Sequence, residues 1–406
     1  MYTRILNTWS NFRSSFWFVP TVLMFLATIT SFGMIHFDQR WGKGIADAYP
    51  MFNMSPPAAR SILSTIVGAM VSTTGVVFSI TIVALSLSSS QFGSRLIRTY
   101  RNRRTTHFTL GIFVSTSLFC ILVLTSIREF NDYVFVPTTS VIIGILLTVV
   151  CLGTLVYYIH DMSQAIQAPN VIQQSANDLD NAIERLFPGT FGKQVARDAT
   201  KEQLQSTSLK SIEENLDEPD FSVACTVAGY VQAIENESVM GIANGNGLTI
   251  RLLIRPGDFL FEDRPLADVW CNSDGQKENF AESKMSICKS ISNSLIIGPN
   301  RTHMQDIRYA FDELVDIAVR ALSPGVNDPF TAVNCVDRIH AALIVLQKRT
   351  APSEYRLNDD GELRVVASPV SIVECIEGSL GVISDYADGN PMVEKRIAKA
   401  YESLEG

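Results

Sequence analysis

The sequence predicts a membrane protein of four transmembrane α-helices followed by a cytosolic α/β domain, which contains a small β-barrel-like unit and a mostly helical C-terminal part. Three observations predict it. Four apolar segments of spanning length lie within the first 160 residues. The charge changes sign where they end: Met1 to His160 carry 11 Lys and Arg against 4 Asp and Glu, and Asp161 onward carries 22 against 37. Past that point the continuous apolar runs give way to helical and then strand-like alternation.

The bulk numbers agree. Of 406 residues 47% are hydrophobic, and the mean hydropathy is +0.17, which suits a membrane domain beside a soluble one of comparable size. An acidic soluble half argues against nucleic-acid binding, which needs a basic surface.

The first span, 16–35, follows Arg4 and Arg13 and lacks a small-x-small cleavage site, so it reads as a retained helix, not a leader. His36 to Arg60 carries Trp41, Tyr49 and Pro56-Pro57 and reads as an interfacial loop. From Ser61 to Ser94 no charge interrupts the chain between Arg60 and Arg95. A helix of that length rises about 51 Å against a hydrocarbon core of roughly 30 Å. It therefore spans over about 61–90 and projects.

Thr65, Gly68, Ser72, Gly75, Ser79, Ile82, Ser86 and Ser89 recur on this helix at alternating spacings of three and four. They share one face, and all but Ile82 are small or hydroxylated. Such a face suits close helix packing, because small residues let backbones approach. It equally suits a water-filled path around which copies of the helix stand. Residue types do not separate the two.

Arg95 to His107 holds five arginines and no acid, so this loop is cytoplasmic and with it both termini. Arg95 and Arg98, with Arg101, Arg103 and Arg104, could ring a cytoplasmic mouth and attract anions. The plainer reading is a topology signal touching anionic headgroups. The third span, 108–127, and the fourth, 138–159, are joined by a short turn at Arg128 to Pro137. No Asp, Glu, Lys or Arg lies inside 16–35, 61–90, 108–127 or 138–159, which weighs against ion-coupled transport. His160 and Asp161 would cap the last span at the inner interface, as a pH-responsive pair or a structural one.

Residues 161–220 read as a helical neck, with helices at Pro169 to Phe187 and Lys193 to Leu216 broken by LFPGTFG. In 221–272, FSVACTVAGYVQAI, LTIRLLI and PLADVW read as strands, with turns at NGNG and RPGDF. The pattern is similar to biotinyl- and lipoyl-type barrel sandwiches, but no lysine occurs between Lys210 and Lys277, so cofactor carriage is excluded. Residues 280–406 read as mostly helical. Helices are expected at Met304 to Leu322, from Pro329 to about Lys348, at Val370 to Tyr386 and at Pro391 to Leu404, and a strand at Glu362 to Ser368. Asp328 is placed as an N-cap ahead of Pro329. Arg301, Gln305, Asp306, Asn327 and Asp328 form a candidate polar cluster, read as an anion site or as capping and subunit contact.

Seven cysteines without a CxxC pair read as reduced thiols, and five scattered histidines offer no metal-ligand spacing. No nucleophile elbow, Walker loop, Cys/His pairing or dinucleotide fingerprint is present, so neither an enzyme nor a cofactor is expected.

The motifs AARSIL (Ala58 to Leu63), GVVFSITIVALSLSSSQFGSR (Gly75 to Arg95), GYVQAI, RPGDF, RTHMQD (Arg301 to Asp306) and LVDIAVRALSPGVNDPFTA (Leu314 to Ala332) resemble those of domain-of-unknown-function family 2254. Ser94 departs from that pattern, which has proline before Arg95. The resemblance covers nearly the whole chain and implies a four-span bacterial inner-membrane protein with a cytosolic domain. It implies no activity. Together these readings give a homo-oligomer in the lipid bilayer, an ion channel or passive pore with the second helix at its axis. The alternative is a membrane-anchored scaffold or regulator that binds a cytosolic partner without conducting.

Overall fold

The computed structural model describes residues 17–48, 54–93, 104–130, 133–187, 218–272, 280–349 and 351–405. The chain divides into two compact units, Met1–Asn170 and Val171–Gly406.

The first unit is built from α1 (Phe18–Ala48), α2 (Pro56–Phe92), α3 (Arg104–Ser126), the hairpin β1 (Arg128–Phe130) and β2 (Tyr133–Phe135), and α4 (Thr138–Ala165). Helix α1 runs on through His36–Ala48, where a loop was expected. No proline lies between Ile35 and Ala48 to stop it, and Gly42 and Gly44 lower helix propensity without breaking the hydrogen-bond ladder. Its apolar stretch, Phe18–Trp41, is bracketed by the exposed indoles of Trp17 and Trp41, residues that favour bilayer interfaces. This stretch runs past the expected 16–35 and so takes in Asp38 and Arg40.

Helix α2 starts at Pro56, earlier than expected, with two prolines in its first turn, where their missing N–H groups cost nothing. It ends at Gly93, whose φ of 104° turns the chain and whose N–H donates to the Ser89 carbonyl. The packing centre is nevertheless α3, the most buried of the four, which meets α1, α2 and α4. Gly111 allows the approach of α1: an added Cβ would lie 2.7 Å from Leu23 Cδ1 and 3.2 Å from Pro20 Cα. Leu63, Met70, Phe113, Phe119, Val123 and Val141 form the shared core.

The second unit opens within α5 (Ala168–Leu186), whose buried face includes Val171, Ile172, Leu179 and Ile183. Next come β3 (Phe221–Ala224), β4 (Gly229–Ile234), α6 (Asn236–Gly245), β5 (Leu248–Leu252), β6 (Phe259–Leu260), β7 (Pro265–Cys271), α7 (Phe280–Asn293) and β8 (Leu295–Gly298). The chain then forms α8 (Ile307–Leu322), α9 (Pro329–Gln347), β9 (Tyr355–Leu357), β10 (Leu363–Ala367) and α10 (Ile372–Ile376). A π-helical turn (Glu377–Gly381), α11 (Val382–Tyr386) and α12 (Pro391–Glu405) complete it.

Among the described residues, β3 to β10 form two sheets, ordered β3-β7-β5-β10-β9 and β6-β4-β8. All pairs are antiparallel except β5 with β10. Both sheets therefore draw in strands from beyond residue 272. Their inner faces share one core, in which Val231, Ile234 and Leu260 of the smaller sheet meet Val223, Ile250, Val269 and Val365 of the larger. Helices α6 and α7 close it through Val239, Ala243, Ile287 and Ile291. The expected helix at Lys193 to Leu216 lies outside the described residues.

Candidate functional site

Helix α2 presents two unlike faces. Ala59, Leu63, Ile66, Met70, Val77, Thr81, Ala84 and Ser88 are buried against the rest of the unit. At roughly 100° per residue, the stripe residues sit half a turn away from them. Thr65, Gly68, Ser72, Gly75, Ser79, Ile82 and Ser86 are exposed and Ser89 is half-buried. A Cβ added at Gly68 or Gly75 would meet nothing within 4 Å. Among the described residues, the stripe from Thr65 to Ser86 is thus exposed.

Large apolar side chains flank it, Val76, Val83 and Leu87 on one side and Val71 and Phe78 on the other, all 43–59% exposed. Helix α2 thus has core behind, large apolar side chains on both flanks and a strip of small and hydroxylated residues in front. Gly68 to Ser72 and Gly75 to Ser79 are each small residues four apart. The hydroxyl of Thr65 donates to the Ser61 carbonyl at 2.8 Å, as buried or lipid-facing threonines do when no other acceptor is near.

On the buried side, Thr81 Oγ1 and Tyr158 Oη lie 2.6 Å apart, and the Tyr158 hydroxyl also reaches the Val77 carbonyl at 3.2 Å. This ties α2 to α4. Near the other end of α2, Arg60 donates to the Ile127 carbonyl at 3.3 Å.

The remaining expected sites resolve as follows. Arg95 and Arg98 lie outside the described residues. His160 and Asp161 do not cap a helix end, because α4 continues to Ala165. As neighbours in a helix their side chains diverge, and the exposed His160 ring instead meets Gln164 at 3.1 Å.

The five-residue polar cluster is split. Arg301, Gln305 and Asp306 gather at the start of α8, whereas Asn327 and Asp328 lie beyond its other end. Sixteen residues of helix separate the groups, about 24 Å of rise. Asp328 takes the Thr331 N–H at 3.1 Å and the Thr331 hydroxyl at 2.6 Å. It occupies the helix start an anion would need.

At the other end Arg301, Gln305 and Asp306 each have structural partners. Gln305 bonds both the N–H and the carbonyl of Ile234, imitating a strand neighbour for β4. Asp306, 1% exposed, caps α8 through the Tyr309 N–H and takes Arg301 Nε at 2.7 Å. Arg301 also reaches Asp312 at 2.6 Å. Burial opposes its charge, but Asp306 and Asp312 outweigh that and raise its affinity for the proton further.

The RPGDF turn docks here as well. Arg308 donates to the Pro256 carbonyl at 3.0 Å and to Asp258 at 3.1 Å, while Arg255 pairs with Glu374. Arginines and carboxylates alternate through this network, which joins the sheets to the helices. Its geometry is that of a weld between Arg255, Asp258, Arg301, Asp306, Arg308 and Glu374.

Three groups escaped sequence reading. Asp38 is 3% exposed and caps α4 from another helix. Asp258 and Arg308 complete the weld. His303 meets the buried Glu313 at 3.0 Å. The RPGDF glycine beside an aspartate was the one local hint; the other pairings are remote in sequence.

The chain is 28% identical over 346 residues to uncharacterized proteins of Mycobacterium bovis and Mycobacterium tuberculosis. The matched segment covers 84% of this chain and 63% of each relative, so the chain spans less than two thirds of their length. No solved structure matches it. The sequence pattern of one family matches residues 13–403, almost end to end and across both units. With its apolar helices and its sheet-containing C-terminal unit, the chain belongs to the family of predicted membrane proteins designated DUF2254.

Proposed function

We propose that this protein is a homo-oligomer of the bacterial inner membrane, with α2 at the symmetry axis and a passive path for ions along it. The observation that supports this reading is the outward-facing stripe from Thr65 to Ser89. Bare lipid is a poor neighbour for a strip of glycine and hydroxyl groups, and a second copy of the same strip is a good one. Ion-coupled transport is not favoured, because Asp38, the buried carboxylate among the described residues of the first unit, already accepts three hydrogen bonds. Catalysis and a bound cofactor form no part of the proposal.

In this reading α1 to α4 cross the bilayer. Helix α9 (Pro329–Gln347) also has spanning length. It carries Asp337 paired with Arg396 and packs between α8 and α12, which supports keeping it in the soluble unit. The positive-inside rule puts the arginine loop, both termini and the acidic unit in the cytosol. There that unit assembles or gates the membrane part.

The test is the mass of the detergent-solubilised complex, followed by ion flux in liposomes. A closed ring of four or more copies whose flux falls in Ser79→Leu is the expected result. A monomer, or an intact ring whose flux is unchanged by Ser79→Leu, overturns the axial path. Disturbed assembly in Ser79→Leu without any wild-type flux favours a membrane-anchored scaffold.

A further inference from the structure

The turn between α8 and α9, residues 323–328, belongs neither to the weld nor to the stripe. It is exposed and apolar. Phe330, in the first turn of α9, is 76% exposed and Val326 52%, and Pro324 is exposed beside them. Three contacts show at which end of the second unit this turn lies. Arg185, near the end of α5, donates to the His303 carbonyl ahead of α8. On α9, Arg338 donates to Gln173 Oε1 at 2.5 Å and Arg349 to the Phe187 carbonyl at 2.7 Å. Helix α9 thus runs in the same direction as α5, and α8 runs against both. The sixteen residues of α8 rise about 24 Å, close to the length of the nineteen-residue α5. The α8–α9 turn therefore stands level with the beginning of α5. In sequence only Ile166 and Gln167 separate α5 from the last apolar helix. This is the end of the unit that the chain enters on leaving the apolar helices.

The turn also has its polar groups matched from within, which lowers the cost of leaving water. The N–H groups of Val326 and Asn327 donate to the Ser323 carbonyl at 3.0 and 2.9 Å, and that of Asp328 to the Ala321 carbonyl at 2.7 Å. A left-handed φ of 47° at Asn327 belongs to this closed turn. The Ser323 hydroxyl donates to the Arg320 carbonyl at 2.6 Å. The Asp328 carboxylate is engaged by Thr331, and Pro324 and Pro329 have no N–H to satisfy. In the last turn of α8, exposed Arg320 supplies a cation, the complement of an anionic headgroup.

We propose that the α8–α9 turn docks on an anionic phospholipid bilayer, with Phe330 and Val326 entering the boundary of its apolar core and Arg320 meeting headgroup phosphate. An aromatic ring at the tip of a turn suits that boundary, where apolar surface and water meet. The docked turn gives the second unit a hold on the bilayer besides its covalent link through α5. The inference holds whether or not the protein conducts.

Photolabelling of the full-length protein tests this. The bilayer is phosphatidylethanolamine with phosphatidylglycerol, a fraction of the latter carrying a diazirine on its acyl chain, and peptides are read by mass spectrometry. The peptide holding Val326 and Phe330 is expected to take label together with the apolar helices, and α12 is not. Phe330→Ser should reduce that label roughly tenfold, the factor that burial of such a ring supplies. Val326→Ser should reduce it less, and both variants should melt with the wild type because the side chains are exposed. Exchanging phosphatidylglycerol for phosphatidylcholine, in carrier and probe alike, should weaken the label several-fold. If the peptide stays unlabelled while the apolar helices are labelled, a second copy or another protein covers the turn, and the proposal falls. It falls equally if α12 is labelled as strongly, or if the label survives in both variants. Undiminished label in phosphatidylcholine overturns the role given to Arg320.

Discussion

Asp38 caps a helix to which it does not belong. Its carboxylate accepts the Ser140 N–H at 2.9 Å, the Ser140 hydroxyl at 2.6 Å and the Thr139 N–H at 3.2 Å. Pro137, at the N-cap position of α4, supplies no side-chain acceptor of its own. Asp38 of α1 therefore satisfies the first turn of α4, and the negative charge meets the positive end of a helix dipole. Asp38→Ala should lower stability by about 2–3 kcal/mol, because it strands two N–H groups in a dry site. Asp38→Asn, which keeps one acceptor, should cost about half as much. Thermal unfolding in detergent measures both, and equal melting of all three proteins would deny the cap its role.

A second prediction concerns the turn that meets the start of α8. Gly257 has a φ of 94°, and a Cβ there would overlap the carboxylate of Asp306. Asp306 cannot retreat, being held by Arg301 and by the Tyr309 N–H. Gly257→Ala should therefore destabilise the second unit by about 2–4 kcal/mol, combining backbone strain with overlap. Chemical denaturation followed by Trp270 fluorescence would show it. A midpoint within error of wild type would mean that the turn moves aside freely.

These two contacts also show where sequence reading stops. The apolar segments, the strands at 221–272 and the Asp328-Pro329 cap are written locally, in period and in neighbouring residues. Asp38 lies 101 residues from Thr139, and a polar residue after an apolar run does not announce a remote helix start. Helix α1 outran its expected end because Trp41, Tyr49 and Pro56-Pro57 resembled loop chemistry, while the hydrogen-bond ladder needed only the absence of proline as far as Ala48. Strand β10 joins β5 across more than a hundred residues, beyond any local pattern. The candidate cluster failed for a related reason: Arg301 and Asp328 are near in sequence, but the rigid length of α8 holds them apart. The stripe on α2 was legible as a face. Which way that face turns depended on α3 and α4.

Thiol reactivity should follow burial. Burial raises the Cys375 thiol to about 12, with Glu374 adding to the effect. Cys335 is pushed higher still, again mainly by burial. Cys271 and Cys288 are only half-buried. Iodoacetamide at mildly alkaline pH should therefore modify Cys271 and Cys288 in the native protein and leave Cys335 and Cys375 until it unfolds. Peptide mass spectrometry reads the order directly. Early labelling of Cys335 would mean that α9 opens on the timescale of the reaction.

The last prediction sets two glycines against each other. Gly111 faces α1, with Pro20 and Leu23 already against it, whereas Gly75 faces nothing among the described residues. The same change to leucine should act oppositely on the single chain. Gly111→Leu must push α1 from α3 and should cost about 3 kcal/mol or more, since neither helix backbone can yield. Gly75→Leu meets no obstacle within the chain and gains up to about 1 kcal/mol of helix propensity. Its damage should appear only between copies, where a small face lets helices approach and a leucine holds them apart. Unfolding in detergent reports the first effect, and the mass of the complex reports the second. If Gly75→Leu keeps both its melting point and its oligomeric mass, the stripe is not the contact between copies.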